Sequence, residues 1–477
     1  MKTLKKALKI IAWLLVIIIL FTIIIFIVDT YKTGYLKTKN IENSNKSSYL
    51  ITNANIITMV QDSVLPNKMV YIKDGKINEI GNTLSIKDVP VINAKGKFLT
   101  PGLIDMHVHV WDKYELGLYL SYGVTSVRNL WGRKMHLRIK EQINNDAIIA
   151  PNFYTASPKL TGPEFIGDDN VNLTSPKEAT EKIISYKAQG YDFIKTYYGL
   201  TEDIFDAIVK QSSISKIDLI AHPTPKVPYN YHFKPEIKTI EHTEDIIQQP
   251  LNYKLDTIKL KEIIDLYVKN PNTKHSPTLI AYYNILNMMN NDSILSSEMA
   301  KYMNPLIKLV DSKEQFNRWN TAKKNDSTLI NRIKSQHKFH LNIIQRLHEN
   351  GVDFVSSTDA GIGITVPGYS LHQELSLYKE AGLSNYETLR TATINASKVH
   401  KEFNSQGTIE IGKDANLLLL DKNPLKDLST LKKPNTVFIR GKLLNRNTLD
   451  TFKEKSDNRN NLIVSAFRYL EYLLFER

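Results

Sequence analysis

The chain contains no cysteine, and that absence excludes disulfides, thiolate metal ligands, a cysteine nucleophile and a lipid-modified N-terminal cysteine. Any metal must be held by imidazole, carboxylate or a modified lysine. Glycine and proline, 20 and 18 of 477 residues, are too few for a low-complexity or disordered chain. A nucleic-acid recognition motif is also missing. The formal net charge is +13, but the lysines are spread along the whole sequence, so nucleic acid is not an expected partner. What remains is a long chain of ordinary globular composition, 42% hydrophobic and 23% charged, with room for one large domain and a smaller one.

Ile10 to Val28 reads IIAWLLVIIILFTIIIFIV, an uncharged run preceded by Lys2, Lys5, Lys6 and Lys9. At about 1.5 Å per residue such a helix nearly matches the roughly 30 Å hydrocarbon core of a bilayer. The run passes into Val28-Asp29-Thr30-Tyr31 without a small-x-small cleavage site, which points to an uncleaved single-pass anchor over 10–28. Lys32, Lys37 and Lys39 partly balance the first lysines. The denser N-terminal side places residues 1–9 in the cytoplasm and the folded part outside it. Residues 29–48 read as a linker, with the polar stretch TKNIENSNKSS as a tether.

Residues 49–100 carry short alternating apolar runs with an Asp74-Gly75 hairpin signal, and a similar pattern returns over 401–450. Between them, over 101–400, the runs VTSVRNL, NFYTAS, YDFIKTY, IDLIAH, KTIEH, SPTLIA and VDFVSSTD alternate with helix-length segments. With the run leading into His107 they reach the eight strands of a (β/α)8 barrel. Asn284 to Glu349 is helical in character and is placed over the barrel mouth, with Met288, Met289, Met299 and Met303 filling helix contacts. Over 451–477, Ile463, Ala466, Phe467, Leu470 and Leu474 recur at helical spacing. That stripe predicts an amphipathic helix packed on its own domain, with membrane or partner binding as the alternatives.

His107-Val108-His109 closes a short apolar strand, where side chains two apart share a face and two imidazoles can reach one ion. An incidental structural pair is the competing reading. His222 closes IDLIAH, His242 closes KTIEH and Asp359 closes VDFVSSTD, and in a parallel barrel these strand ends meet on one face.

Together, PGLIDMHVH, IEH, STDAG, GYSLHQELSLYKEAGLSNYETLRTATINASKVH and GTIEIGKDANLLLLDKNPL resemble the amidohydrolase superfamily, most of all its imidazolonepropionase-like and Xaa-Pro dipeptidase-like members. The similarity runs from Tyr49 to about Leu444. It implies a TIM-like (β/α)8 barrel whose flanks form a composite β-sandwich domain, with a binuclear metal site. His107, His109 and Asp359 would hold one divalent ion and His222 and His242 the other. Lys195, in YDFIKTYYG, stands where similar enzymes carry a lysine carboxylated by carbon dioxide, a group that could bridge both ions. An ordinary solvated lysine is the competing reading. Zinc suits imidazole-rich ligands best, with Mn, Fe or Co also compatible.

These ligands imply hydrolysis of a C–N bond in a small amide, peptide-like or cyclic amide substrate. A water shared by the ions would be activated, and Asp359 would carry its proton to the leaving nitrogen. Lactone or ester hydrolysis at the same site, and an anchored binding protein without turnover, are the alternatives. Tyr229, Tyr231, His372 and Arg128 are weaker candidates for substrate contact, and a homo-oligomer is open. Asn129, Thr161-Gly162-Pro163-Glu164 and Asn416 depart from the relatives' usual residues, which bears on substrate rather than on chemistry.

Overall fold

The computed structural model describes residues 2–42, 45–164, 170–457 and 459–476. Strands from both ends of the folded part make one mixed sheet. From the N-terminal flank come β1 (Tyr49–Ile56), β2 (Leu65–Lys73), β3 (Lys76–Gly81), β4 (Val91–Asn93) and β5 (Phe98–Pro101). Asp74 and Gly75 form the expected tight turn between β2 and β3, both with positive φ. A Cβ on Gly75 would sit 2.7 Å from the Arg440 carbonyl oxygen, so the turn also needs glycine for close approach.

The strands of the expected composite β-domain form one continuous hydrogen-bonded sheet that changes partners partway along β1. Asn53 takes a left-handed conformation, and the register is irregular between Ile51 and Ala54. Before this break β1 pairs with β4; after it, Asn55 and Ile56 pair with β5.

The barrel follows, with β6 (Leu103–Val108), β7 (Val124–Asn129), β8 (Asn152–Thr161), a short side strand β9 (Asn170–Asn172), β10 (Phe193–Thr196), β11 (Asp218–Ala221), β12 (Ile237–Glu241) and β13 (Lys274–Ser276). Seven of these run parallel in the order β6-β7-β8-β10-β11-β12-β13 and nearly close. Residues 354–360 span the gap without forming a regular strand. Val355 N–H donates to the His275 carbonyl at 3.0 Å, and on the other side Met106 N–H donates to the Ser356 carbonyl at 2.9 Å.

The seventh strand lies earlier than SPTLIA suggests. Pro277 lacks a donor and Thr278 turns left-handed, so the ladder ends at Ser276 and Leu279 opens a helix. Met288, Met289 and Met303 are buried in helix contacts, as their spacing predicts. The other flank then returns to the mixed sheet with β14 (Leu417–Leu420), β15 (Thr436–Ile439) and β16 (Lys442–Asn445). Leu417, Leu419 and Phe438 meet Ile51, Ile72 and Leu99 in one core.

The apolar N-terminal run is a helix, Lys2–Lys32, long and apolar enough to cross a membrane and exposed along its most apolar stretch. The expected tether is only partly free of the fold. Residues 43 and 44 lie outside the described residues, but Leu36 is fully buried and its carbonyl accepts from Ile149 N–H at 2.7 Å.

The C-terminal region forms two helices, Arg446–Asp457 and Leu462–Phe475. The second packs on the domain by the face opposite to the expected one. Val464, Ser465 and Tyr472 are buried, while Ile463, Ala466, Leu470 and Leu474 point outward. Polar contacts decide this orientation: Arg459 and Asn461 bind buried Asp112 at 3.0 and 2.8 Å, and Arg138 clasps Glu471 at 2.9 and 2.7 Å.

Candidate metal centre

The C-terminal ends of the barrel strands bring together the six residues expected to act. His107 Nε2 and His109 Nε2 lie 3.2 and 2.7 Å from Asp359 Oδ1. Ligand atoms of His107, His242 and Asp359 lie within 4.8 Å of one another, as do those of His222, His242 and Asp245. His242 belongs to both groups, which makes the two clusters neighbours. The His107 and His222 ring centroids are 4.9 and 4.7 Å from that of His242.

Two of the candidate ligands sit on strained backbone. His242 has φ 65° and Asp359 φ 57°, conformations that side-chain-bearing residues adopt at a cost. At His242 the consequence is visible. Glu241 and His242 are consecutive and would face opposite sides of a regular strand, yet both reach the centre.

Glu241, which the sequence reading missed, is fully buried and accepts from His107 Nδ1–H at 2.6 Å and from Arg128 at 3.0 Å. Its carboxylate thereby fixes the His107 tautomer and leaves Nε2 directed at Asp359. Burial alone would raise the Glu241 carboxyl, but Arg128, Lys195 and His107 outweigh it and hold it well below the usual range. Asp359 is in the same position: burial raises it, and His107 and His109 more than reverse that. Burial pushes His109 down, His222 well down and His242 to about 3. Ionised carboxylates and neutral imidazoles are the states that bind metal.

The other half is less satisfied. Lys195 is 1% exposed, its Nζ has no hydrogen-bond partner among the described residues, and burial lowers its amine to about 8. Among the described residues both His222 ring nitrogens also lack a hydrogen-bond partner; the Asp245 carboxylate stands 3.4 Å from Nε2. Burial raises Asp245 well above the usual carboxylate range. Buried polar atoms left without partners are costly. Imidazole nitrogens, carboxylates and a buried amine are also a donor set that divalent ions and a carboxylated lysine would satisfy. Asp245, three residues beyond His242, went unnoticed because it lies on a helix, Thr243–Gln248, rather than at a strand end.

The weaker candidates fare differently. Arg128 is fully buried and spent on Glu241, the Met106 carbonyl, Thr239 and His400. His372 donates to the Tyr122 carbonyl at 2.9 Å, and the Tyr229 hydroxyl pairs with that of Tyr267 at 3.0 Å. In all three, these polar atoms are engaged within the protein. Tyr231 is half-buried with Lys234 over its ring.

A cleft of about 450 Å³ opens at the opposite end of the barrel among Asp192, Asp218, Glu236 and Glu402. It has none of the converging ligands. A smaller cavity of about 260 Å³, lined by Glu244, Gln248, Tyr282, Trp319, His337 and His340, begins on the helix that follows His242.

Residues 226–444 match the model of the amidohydrolase family. Similar curated proteins include a dihydroorotase from Carboxydothermus hydrogenoformans, 49% identical over 63 residues, which are 13% of this chain and 14% of that protein. Another is an N-acetylglucosamine-6-phosphate deacetylase from Lysinibacillus sphaericus, 44% identical over 76 residues, 14% of this chain and 20% of that protein. The chain thus spans only a small part of the length of these curated relatives. In fold the likeness is far wider. A bottromycin amidohydrolase superposes with a TM-score of 0.71 over 90% of this chain and 95% of its own, at 18% identity. A Xaa-Pro dipeptidase superposes with a TM-score of 0.65 over 84% of this chain and 100% of its own, also at 18% identity. The family match thus covers β12 to β16, and the fold is shared with these amidohydrolases over nearly the whole folded region.

Proposed function

We propose that this chain is a membrane-anchored metallohydrolase that cleaves a C–N bond in a small amide, peptide-like or cyclic amide substrate. The observation that carries this reading is the convergence of His107, His109 and Asp359 with His222, His242 and Lys195 on one end of the barrel. His107, His109 and Asp359 would hold one divalent ion, His222 and His242 a second, and a carboxylated Lys195 would bridge them. Such ions supply an activated water and polarise the substrate carbonyl.

The protein's own groups do the rest. Glu241 and Thr278 orient His107 and His242 through their Nδ1 atoms, at 2.6 and 2.8 Å. Asp359, ionised and within 3.2 Å of two imidazoles, is placed to accept a proton from the attacking water and return it to the leaving nitrogen. The cavity beside Glu244, walled by Tyr282 and Trp319, is where the substrate's side group would fit.

On this reading the domain boundaries are an anchor over 10–28, a barrel over 101–400 and a flanking β-domain from 49–100 and 401–450, with the catalytic part outside the cytoplasm. The test is metal analysis of the full chain in detergent, followed by a screen against proline dipeptides, acylated amino acids, cyclic imides and lactones. Bound divalent metal with amide or imide turnover supports the reading. Metal with lactone turnover alone would move it to ester chemistry, and less than one ion per chain would overturn it.

A further inference from the structure

The C-terminal helix Leu462–Phe475 reverses the usual arrangement of a surface helix. In a soluble domain the apolar stripe faces the core and the polar face meets water. Here the polar and aromatic face is the one held by the protein. Ser465 accepts from Asn304 at 3.0 Å, Arg468 pairs with Asp29 at 2.6 Å, Glu471 with Arg138, and Arg133 lies over the Tyr469 and Tyr472 rings at 4.9 and 4.5 Å. The outward face carries Ile463, Ala466, Phe467, Leu470 and Leu474, with Leu474 63% and Phe475 70% exposed. A contiguous apolar face of this kind marks an interaction surface.

Its position says what covers it. Phe467 packs against Phe26 with ring centroids 6.4 Å apart, and the Arg468–Asp29 pair closes over the same point. The stripe therefore begins where the apolar N-terminal helix ends. The next exposed apolar residues, Leu309 and Val310, follow Pro305–Ile307, which packs on the same C-terminal helix.

The geometry points to the helix Leu462–Phe475 lying in the plane of the bilayer surface, its apolar stripe immersed at the headgroup boundary beside the anchor and seating the barrel on the membrane. This inference rests on the reading of the N-terminal helix as a membrane anchor. Helices of this type sink about 5–10 Å below the headgroups. The seat is mechanically linked to the metal end of the barrel. Arg459 and Asn461, just before the helix, bind Asp112, which follows His109 by three residues.

Because the chain has no cysteine, single-cysteine variants of the full-length protein can be labelled at one site each. Ile18→Cys probes the anchor, Leu470→Cys and Leu474→Cys probe the stripe, and Ile258→Cys, 83% exposed on the barrel, reports on solvent. Each carries an environment-sensitive fluorophore and is reconstituted in vesicles of phosphatidylcholine and phosphatidylglycerol. Nitroxide on the lipid chains and aqueous iodide serve as quenchers. The expected result is blue-shifted emission at 470 and 474 that lipid nitroxide quenches strongly, as at 18, while 258 answers to iodide alone. Quenching by lipid at 18 with iodide access at 470 and 474 would overturn the seat and leave the anchor standing. Shielding of 470 and 474 from both quenchers would show a protein partner instead, and would also overturn it. No lipid quenching at 18 would remove the anchor and the seat together.

Discussion

The two halves of the candidate centre differ in how their polar atoms are provided for. Around His107 and the segment leading to Asp359 the supports are in place, and Asp359 Oδ1 itself makes ion pairs with the two imidazoles. Glu241 holds His107, Arg128 holds Glu241, and Asp105 takes the Thr358 hydroxyl at 2.7 Å and so fixes the segment leading to Asp359. Around Lys195 and His222 the same degree of burial comes without hydrogen-bond partners. Burying a polar atom unsatisfied costs about 1–3 kcal/mol, and more of that cost falls on the second half, at Lys195 Nζ, both His222 ring nitrogens and Asp245 Oδ2, than on the first, at Asp359 Oδ1. The contrast teaches that the first half is a prebuilt receptor, while the second is stable in its present shape only as far as the surrounding fold imposes it. A bound ion would matter most there.

The sharpest way to break the comparison is to damage the prebuilt half. Asp359→Ala removes the proposed proton carrier and a candidate ligand, and turnover on whichever substrate the screen identifies should fall about a hundred- to ten-thousand-fold in steady-state assays. Activity retained within a few-fold would remove Asp359 from the mechanism.

Next comes the support of that half. Glu241→Ala leaves Arg128 charged and buried without its carboxylate, and should destabilise the fold by about 3–5 kcal/mol in denaturant titration. Glu241→Gln keeps an acceptor but loses the charge, and should keep the fold while weakening metal binding about 10–100-fold by competition with a chelator. A Glu241→Gln protein with unchanged metal affinity would mean that Glu241 only fills space.

The smallest effect sharpens the other side. Lys195→Met replaces an unpartnered buried amine with an apolar chain of similar length. The metal-free protein should become more stable by about 1–3 kcal/mol while turnover is lost, the trade expected of a side chain kept for function. A destabilised Lys195→Met would show that the amine is satisfied in a way the geometry does not reveal.

How far the sequence exposed all this depended on the physics of each element. The barrel strands showed as short apolar runs because parallel strands are covered on both faces. The six ligand candidates showed because each ends such a run. Glu241 was hidden because regular alternation would turn it away from His242, and only the left-handed backbone at His242 brings both inward. The eighth segment looked like a strand in VDFVSSTD, but its ladder is interrupted and only scattered hydrogen bonds close the barrel. Arg128 and His372 read as candidate contacts because sequence carries no information on which donors are already spent. The C-terminal helix was the reverse case. Its stripe was plain in the sequence, but the direction it faces is set by Asp112, Arg138 and Asp29, far away along the chain.

The most direct test of the central claim is a metal titration of the metal-stripped full chain, followed by thermal unfolding in parallel with His222→Ala. The account predicts that the wild-type protein takes up divalent ions and gains about 3–4 kcal/mol at ligand concentrations some 100- to 1,000-fold above the dissociation constant. His222→Ala should lose the part of that gain that comes from the second ion and keep the part that comes from the first. Equal stabilisation of both proteins, or none of either, would contradict it.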